Sequence, residues 1–170
     1  MKRIRNTYLG ELPFIKEHAD QIYFKNEQDF WKEKYYRISE EDCLELHENN
    51  ELYVLEEGEQ ILGFFTLKLI NQEIANFSML TVIEKHQRNG YGNVMLNYII
   101  DQCVEKGLKK ISLELLCPKG WIHPQKKILQ EWYSSRGFKH HSNCLFEDLY
   151  PSHQQYMKCK LIFKKYHKSI

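Results

Sequence analysis

Short runs of alternating apolar and polar residues are separated along this chain by longer runs with helical spacing. The clearest alternation places Phe65, Leu67 and Leu69 at every second position, as in a half-buried strand. Turn residues around Gly58 and Asn71 separate three such runs, which indicates an antiparallel meander. The predicted strands are residues 4–9, 52–56, 61–70, 74–82, 111–116, 139–146 and 156–165.

Helical periodicity accounts for most of the remaining chain. Pro13 suits a first helical turn, and Phe14, Ile15 and Ile22 follow at helical intervals. Ser39 precedes three acids, which is typical of an N-cap, so a short helix to residue 47 is expected. The other predicted helical segments are residues 27–36, which are rich in aromatics, 92–107 and 124–136.

A strand–helix–strand unit lies in the middle of the chain. Leu96, Ile99 and Cys103 form an apolar stripe on its helix, and Gly107 suits the C-cap. Such a crossover makes the strands that begin at Ile74 and Ile111 parallel neighbours. The full predicted order is β-α-α-β-β-β-α-β-α-β-β, without an internal repeat or a linker.

Composition and charge narrow the class of protein. With 170 residues, 42% of them hydrophobic and 28% charged, the chain suits one soluble domain covering residues 1–170. A net charge of +1 gives no field that draws nucleic acid or membrane. We expect a cytoplasmic protein, because there is no signal peptide or membrane-spanning run and the five cysteines are interpreted as free thiols rather than metal ligands. Five lysines and no acid follow Asp148, which favours an edge strand protected by lysines over a basic binding arm.

The segment most suggestive of chemistry joins the strand at 74–82 to the following helix. It passes through a polar turn at 83–86 and then through Gln87–Arg88–Asn89–Gly90–Tyr91–Gly92. Glycines and a helix start present backbone N–H groups to a phosphate or pyrophosphate. A dinucleotide fingerprint would need a third glycine, where Met95 stands, and a P-loop would need Gly-Lys-Ser/Thr.

Two motifs resemble those of the GNAT acetyltransferases. Gln87, Gly90 and Gly92 fit that family's coenzyme A loop, Gln/Arg-x-x-Gly-x-Gly/Ala, and residues 132–138, Trp-Tyr-Ser-Ser-Arg-Gly-Phe, resemble its aromatic-Tyr-x-x-x-Gly-Phe signature. Motif and element order match over nearly the whole chain. The resemblance implies an α/β (α+β) GNAT fold: a mixed sheet of about seven strands with splayed parallel fourth and fifth strands, flanked by about four helices.

The same resemblance implies acetyl-CoA as acyl donor, without a metal. The backbone around Leu80 would hold the pantetheine and polarise the thioester carbonyl, and the amides from Arg88 to Asn93 would hold the pyrophosphate. Lys126 stands where many relatives carry an asparagine that contacts the cofactor, so Lys126 or Lys127 is expected to replace that contact or leave it missing. The implied cofactor-binding residues are Leu80, Thr81, Val82, Gln87, Arg88, Asn89, Gly90, Tyr91, Gly92, Asn93 and Lys126.

For catalysis, the resemblance implies Tyr133 as the general acid for the thiolate. Glu114 is the leading candidate for the base, with Glu73 and a water chain as alternatives. The acceptor would be a primary amine of a small molecule or peptide; Trp121 and His123 would either cap its site or pack over the sheet end. The alternative function is a catalytically silent acyl-CoA-binding module. Monomer and homodimer both stay open.

Overall fold

The computed structural model describes residues 1–170 and shows a mixed α/β structure with a seven-stranded sheet. The strand order is β1-β2-β3-β4-β5-β7-β6, and β4 and β5 are parallel. The strands are β1 (Lys2–Asn6), β2 (Leu52–Glu57), β3 (Gln60–Leu69), β4 (Ile74–Val82), β5 (Lys110–Pro118), β6 (Lys139–Leu145) and β7 (Leu161–Ser169). The helices are α1 (Leu12–Glu27), α2 (Glu40–Glu48), α3 (Tyr91–Glu105), α4 (Pro124–Ser135) and the single turn α5 (Phe146–Leu149), with 3-10 helices at Leu9–Glu11, Glu84–His86 and Pro151–Tyr156.

The predicted fold class, the meander and the parallel crossover are confirmed. Strands β2, β3 and β4 pair antiparallel, as the alternation in β3 indicated. Ser39 is the N-cap of α2, where its hydroxyl accepts a hydrogen bond from the Asp42 N–H at 3.0 Å. The Asp42 carboxylate accepts in return from the Ser39 N–H at 2.9 Å, so the acids after Ser39 fix the start of this helix.

The chain divides into two compact units. The first unit comprises Met1–Ile22, Tyr36–Ile111 and Ile170. Helix α3 packs on β3 and β4 through its fully or nearly fully buried stripe of Met95, Leu96 and Ile99. This packing anchors the start of α3 next to the end of β4, which is the segment that carries the glycine motif.

The second unit comprises Tyr23–Tyr35 and Ser112–Ser169. Strands β6 and β7 pair antiparallel, and α4 connects β5 to β6. An aromatic and aliphatic cluster forms its core, with Phe30, Leu161 and Phe146 essentially inaccessible to solvent. The unit therefore has its own apolar centre beneath the segment that follows α1.

The predicted helix over residues 27–36 is wrong. Helix α1 ends at Glu27, and Trp31 instead forms an isolated antiparallel β-bridge with Met157. Backbone hydrogen bonds from Lys158 N–H to the Phe30 carbonyl and from Lys32 N–H to the Tyr156 carbonyl hold the backbone on both sides of Trp31 against residues 156–158. Because Phe30 and Trp31 are neighbours and both are buried, packing against distant residues overrides the local helical spacing.

The predicted ends of the first and last strands also need correction. Strand β1 stops at Asn6 because residues 9–11 form a 3-10 helix, and β7 starts at Leu161 because residues 151–156 form another. The prediction that the lysine-rich end is an edge strand is wrong as well, since β7 lies between β5 and β6. All five cysteines are free thiols, and none of the helices is long and apolar enough to cross a membrane.

Candidate functional site

The connection from β4 to α3 is built on two left-handed residues. Gly90 is the N-cap of α3 with φ +79°, and Arg88 has φ +65° although it carries a side chain. Left-handed conformations at alternate positions turn successive backbone N–H groups toward the same side, and the first amides of a helix lack intrahelical acceptors. The loop therefore has the donor chemistry that a phosphate group requires.

Side chains of the same loop brace its backbone. Gln87 donates from Nε2 to the Val82 carbonyl at 3.2 Å. Asn89 donates from Nδ2 to the carbonyls of His86, at 2.9 Å, and Gln87, at 3.3 Å. These two side chains, which the sequence predicted as cofactor ligands, thus hold the loop in shape, and the main chain is the part of the loop suited to bind an anion.

A β-bulge interrupts β4 just before this loop, and the sequence did not predict it. Phe64 pairs with Thr81 but Thr66 pairs with Ser78, so β4 carries an extra residue. Met79 has φ +55° at this point, and the Thr81 hydroxyl donates to its carbonyl at 3.0 Å. A bulge releases backbone groups from the strand ladder, so the main chain around Leu80 is available for another partner.

Gly63 on β3 faces this irregular part of β4. A Cβ at Gly63 would lie 2.6 Å from the Thr81 carbonyl oxygen and 2.8 Å from the Met95 side chain. Only glycine permits this close approach of β3 to β4. A larger residue at position 63 would therefore have to displace Thr81 or Met95.

Lys2 adds positive charge near the start of α3. Its Nζ lies 5.7 Å from the centroid of the Tyr91 ring and 3.8 Å from a Glu57 carboxylate oxygen. No local pattern singles out Lys2, because its contact with Tyr91 joins residues far apart in the chain. It belongs to the first unit together with the predicted residues Leu80 to Asn93.

Tyr133, in the second unit, is buried on α4 with 5% of its surface exposed. Its ring packs edge-on against Phe138 and Trp132. Burial raises the pKa of the Tyr133 phenol well above its ordinary value, and the nearby Tyr23 phenol raises it further. The phenol is therefore protonated at neutral pH and can act as a hydrogen-bond donor.

Lys126 lies on the same helix, in a buried ion pair. Its Nζ is 2.7 Å from a carboxylate oxygen of Glu27, and their side chains are 7% and 0% exposed. The Phe30 ring centroid is 5.8 Å from the ammonium nitrogen. The expected contact of Lys126 with a cofactor stays a prediction, and in this structure the ammonium already has an anionic partner.

The two carboxylates considered as bases lie in different surroundings. Glu114 is exposed on β5 between the buried Leu113 and Leu115, on the opposite strand face as the alternation predicted. Glu73 lies in the β3–β4 turn, 2.7 Å from Lys109, and this hydrogen-bonded ion pair lowers the pKa of its carboxyl. A lowered pKa makes Glu73 a weaker base than an ordinary glutamate.

The loop before α4 is held by its own aromatic contacts. The His123 ring is 5.3 Å from Phe30, and its Nδ1 accepts a hydrogen bond from the Lys126 N–H at 3.4 Å, which caps α4. Burial lowers the pKa of His123, and the charge of Lys126 lowers it further. Trp121 packs edge-on to Phe30 at 6.3 Å while 43% of its surface stays exposed.

Comparison with known proteins agrees with this geometry. The profile of the Acetyltransferase (GNAT) family matches residues 12–138. A search of curated proteins found no match. Ard1 from Thermoplasma volcanium is a similar solved structure, with a TM-score of 0.71 at 15% identity over 99% of this chain and 97% of that one.

Two other similar structures contain ligands. Spermidine N-acetyltransferase from Vibrio cholerae, in complex with CoA and spermine, has a TM-score of 0.68 at 18% identity, over 99% of this chain and 95% of that one. N-acetylglutamate synthase from Neisseria gonorrhoeae, complexed with coenzyme A and N-acetyl-glutamate, has a TM-score of 0.67 at 20% identity. That match covers 99% of this chain, which spans only 35% of the synthase chain.

Proposed function

This chain belongs to the GNAT acetyltransferase family, and we propose that it transfers the acetyl group of acetyl-CoA to a primary amine of a small molecule or peptide. The observation that carries the proposal is the anion-binding loop at the start of α3, with left-handed residues at Arg88 and Gly90. Coenzyme A carries a diphosphate that such a loop suits. The CoA complexes of two similar structures support the same donor.

The backbone amides from Arg88 to Asn93 would bind the diphosphate, and Lys2 would add charge from β1. Gln87 and Asn89 would act indirectly, by bracing the loop. Main-chain donors cannot change protonation state, so this binding would persist over a wide pH range. The Arg88 guanidinium can add a charge-assisted contact.

The bulged segment of β4 would receive the acyl end of the donor. We assign the N–H of Leu80 to the thioester carbonyl, because the bulge at Met79 takes this part of β4 out of the regular ladder. A fixed N–H donor stabilises the negative charge that develops on that oxygen when an amine attacks. Thr81 and Val82 would contribute backbone contacts to the pantetheine.

Tyr133 would donate a hydrogen bond or proton to the departing sulfur. Its hydroxyl is protonated at neutral pH, as a donor requires, although the raised pKa makes it a weaker acid than an ordinary tyrosine. Complete proton transfer also requires a thiolate of comparable basicity, and an apolar, water-poor site raises the pKa of a thiol too. Glu114, exposed on β5, is the proposed base that accepts a proton from the acceptor's ammonium group, so that the neutral amine can attack the thioester.

The test is release of free thiol from acetyl-CoA across a panel of small amines and peptides. We expect turnover with at least one amine and a fall in kcat of about 10²-fold or more in Tyr133→Phe. Tyr98→Phe serves as the matched control, because Tyr98 is a half-buried tyrosine of α3 outside the proposed machinery.

Two results would contradict the enzyme proposal in different ways. Binding of acetyl-CoA without thiol release for any amine favours the catalytically silent binding module. Turnover that survives Tyr133→Phe undiminished removes Tyr133 from the mechanism while leaving the acetyltransferase activity in place.

A further inference from the structure

Lys126 and Tyr133 lie on one face of α4, and both meet the end of α1. They are seven residues apart, close to two helical turns, so their side chains point to the same side. Tyr23 and Glu27 are four residues apart on α1, about one turn, and form the opposing face. Lys126 pairs with Glu27, and Tyr133 has Tyr23 as its electrostatic neighbour.

The ion pair lies in water-poor surroundings. Both side chains are more than nine-tenths buried, and the ammonium faces the Phe30 ring. The nearby Cys117 thiol has its pKa raised by burial, with Lys126 as the largest opposing charge. In such surroundings neither charge can exchange its partner for water, so the 2.7 Å contact fixes one separation of the two helices.

The other half of α4 is anchored separately. Gln130 accepts hydrogen bonds at its Oε1 from Lys164, at 3.2 Å, and from the Tyr166 hydroxyl, at 3.0 Å. Lys168 donates to the Arg136 carbonyl at 2.9 Å, at the C-terminal end of the helix. Gln130 and Arg136 flank Tyr133 along α4. Loss of the ion pair would therefore leave this part of α4 attached to β7 and allow the end of α1, with Tyr23, to shift against it.

We propose that the Glu27–Lys126 ion pair is a positioning device that sets the packing of the end of α1 against α4 and thereby the location of the Tyr133 hydroxyl relative to Tyr23. Glu27 and Lys126 are positioning residues in this account, since they act through Tyr133. The catalytic consequence rests on the proposed role of Tyr133. The structural part of the proposal, that the ion pair determines the surroundings of the Tyr133 phenol, does not depend on any catalytic role of Tyr133.

The decisive variant is the apolar double replacement Glu27→Leu/Lys126→Met. It removes both charges and keeps similar volume, which buried ion pairs often tolerate without loss of stability. It therefore separates positioning from folding, whereas either single replacement would leave an uncompensated buried charge. The control is Glu147→Leu/Lys160→Met, which removes another ion pair of the same unit, one with no part in the proposed machinery.

The first readout needs no turnover. Protein labelled with ¹³C at tyrosine Cζ gives one resonance per tyrosine, and Tyr133→Phe assigns the signal of Tyr133. We expect the Tyr133 signal to shift or split in the apolar double variant and to stay in place in the control. If the double variant does not fold, Lys126→Arg gives the same comparison. The larger, planar guanidinium of arginine retains the positive charge but changes the geometry of the contact with Glu27.

The second readout is the split between kcat and KM. We expect the double variant to lose about tenfold or more in kcat, because a small displacement of a reacting group relative to its partners is enough for such a loss. Its KM for acetyl-CoA should stay within about twofold, because the Lys126 ammonium is already paired with Glu27; a larger rise would assign Lys126 to the cofactor contact instead. An unshifted Tyr133 signal in the folded variants would overturn the inference. A shifted signal with unchanged kcat would retain the positioning and instead reject Tyr133 as the acid.

Discussion

At the scale of single residues, Tyr133 connects burial with chemistry most directly. An ordinary thiol has a pKa near ~8.5 and a phenol near ~10, so proton donation from tyrosine to a thiolate is mildly unfavourable in water. Burial raises the pKa of Tyr133 and widens this gap in the free protein. The proposed acid therefore works only if the thiolate enters the same water-poor environment, where its own pKa rises as well.

The raised pKa has a consequence for stability at high pH. The folded protein retains the Tyr133 proton where the unfolded chain, with a pKa near ~10, releases it. The stabilisation by this group is complete below pH ~10 and is lost as pH rises toward the folded-state pKa. Above pH ~10 the free energy of unfolding should fall faster with pH in the wild type than in Tyr133→Phe. The difference between the two slopes should be about 1.4 kcal/mol per pH unit.

Urea unfolding of the wild type and Tyr133→Phe at pH 9, 10 and 11 measures this difference. The two free energies should run parallel below pH ~10 and converge or cross above it. Parallel curves through pH 11 would mean that the phenol titrates as it does in the unfolded chain.

At the scale of elements, α4 depends on lysines whose pattern suggested a different role. The lysine-rich end of the chain resembles a protected edge strand, yet β7 is interior to the sheet order. Two of its lysines serve α4: Lys164 donates to Gln130, and Lys168 donates to the Arg136 carbonyl. A cation at the C-terminal end of a helix also interacts favourably with its dipole.

We expect Lys168→Met to lower the free energy of unfolding by about 0.5–1 kcal/mol, because the last turn of α4 loses a donor and a favourable charge. Lys165→Met removes the same charge from the same strand and should change the stability by no more than about 0.5 kcal/mol. Urea denaturation of both variants gives the comparison. Equal losses would show that the effect is one of net charge rather than of helix capping.

The elements that the sequence predicted well are those whose pattern is local. The apolar run of β3 predicts a strand, but residues 62–67 are all buried and Leu69 is exposed, so β3 is not half-buried as its alternation indicated. The apolar stripe of α3 agrees with its packing on β3 and β4. The segment after Glu27 failed because the burial of Phe30 and Trp31 depends on partners more than a hundred residues away, such as Met157. Helical spacing among aromatics cannot reveal such long-range pairing.

At the scale of the whole molecule, the sequence motifs located the candidate site but not the bulge and the ion pair that lie around it. Gly90 and the turn before α3 could be predicted because positions with positive φ favour glycine, and a glycine is visible in the sequence. The bulge at Met79 could not be predicted in this way, because methionine does not favour positive φ and its presence does not indicate a bulge. The pairing of Lys126 with Glu27 joins residues 99 positions apart and carries no local pattern.

The central claim is that the backbone from Arg88 to Asn93 binds the diphosphate of coenzyme A, and two glycines allow a matched test. Gly90 and Gly58 both have positive φ, at +79° and +63°, and neither would crowd a neighbouring atom if it gained a Cβ. Replacement of either by alanine should cost a similar ~1 kcal/mol of stability. Only Gly90 lies in the proposed phosphate loop, whereas Gly58 lies in the β2–β3 turn.

Isothermal titration of coenzyme A into the wild type, Gly90→Ala and Gly58→Ala measures the claim directly. We predict binding by the wild type and by Gly58→Ala with equal affinity, and an affinity at least about tenfold lower for Gly90→Ala, equivalent to ~1.4 kcal/mol. Two results would contradict the claim. One is that the wild type shows no binding of coenzyme A, neither as heat in the titration nor through competition between acetyl-CoA and coenzyme A. The other is that all three proteins bind coenzyme A with equal affinity.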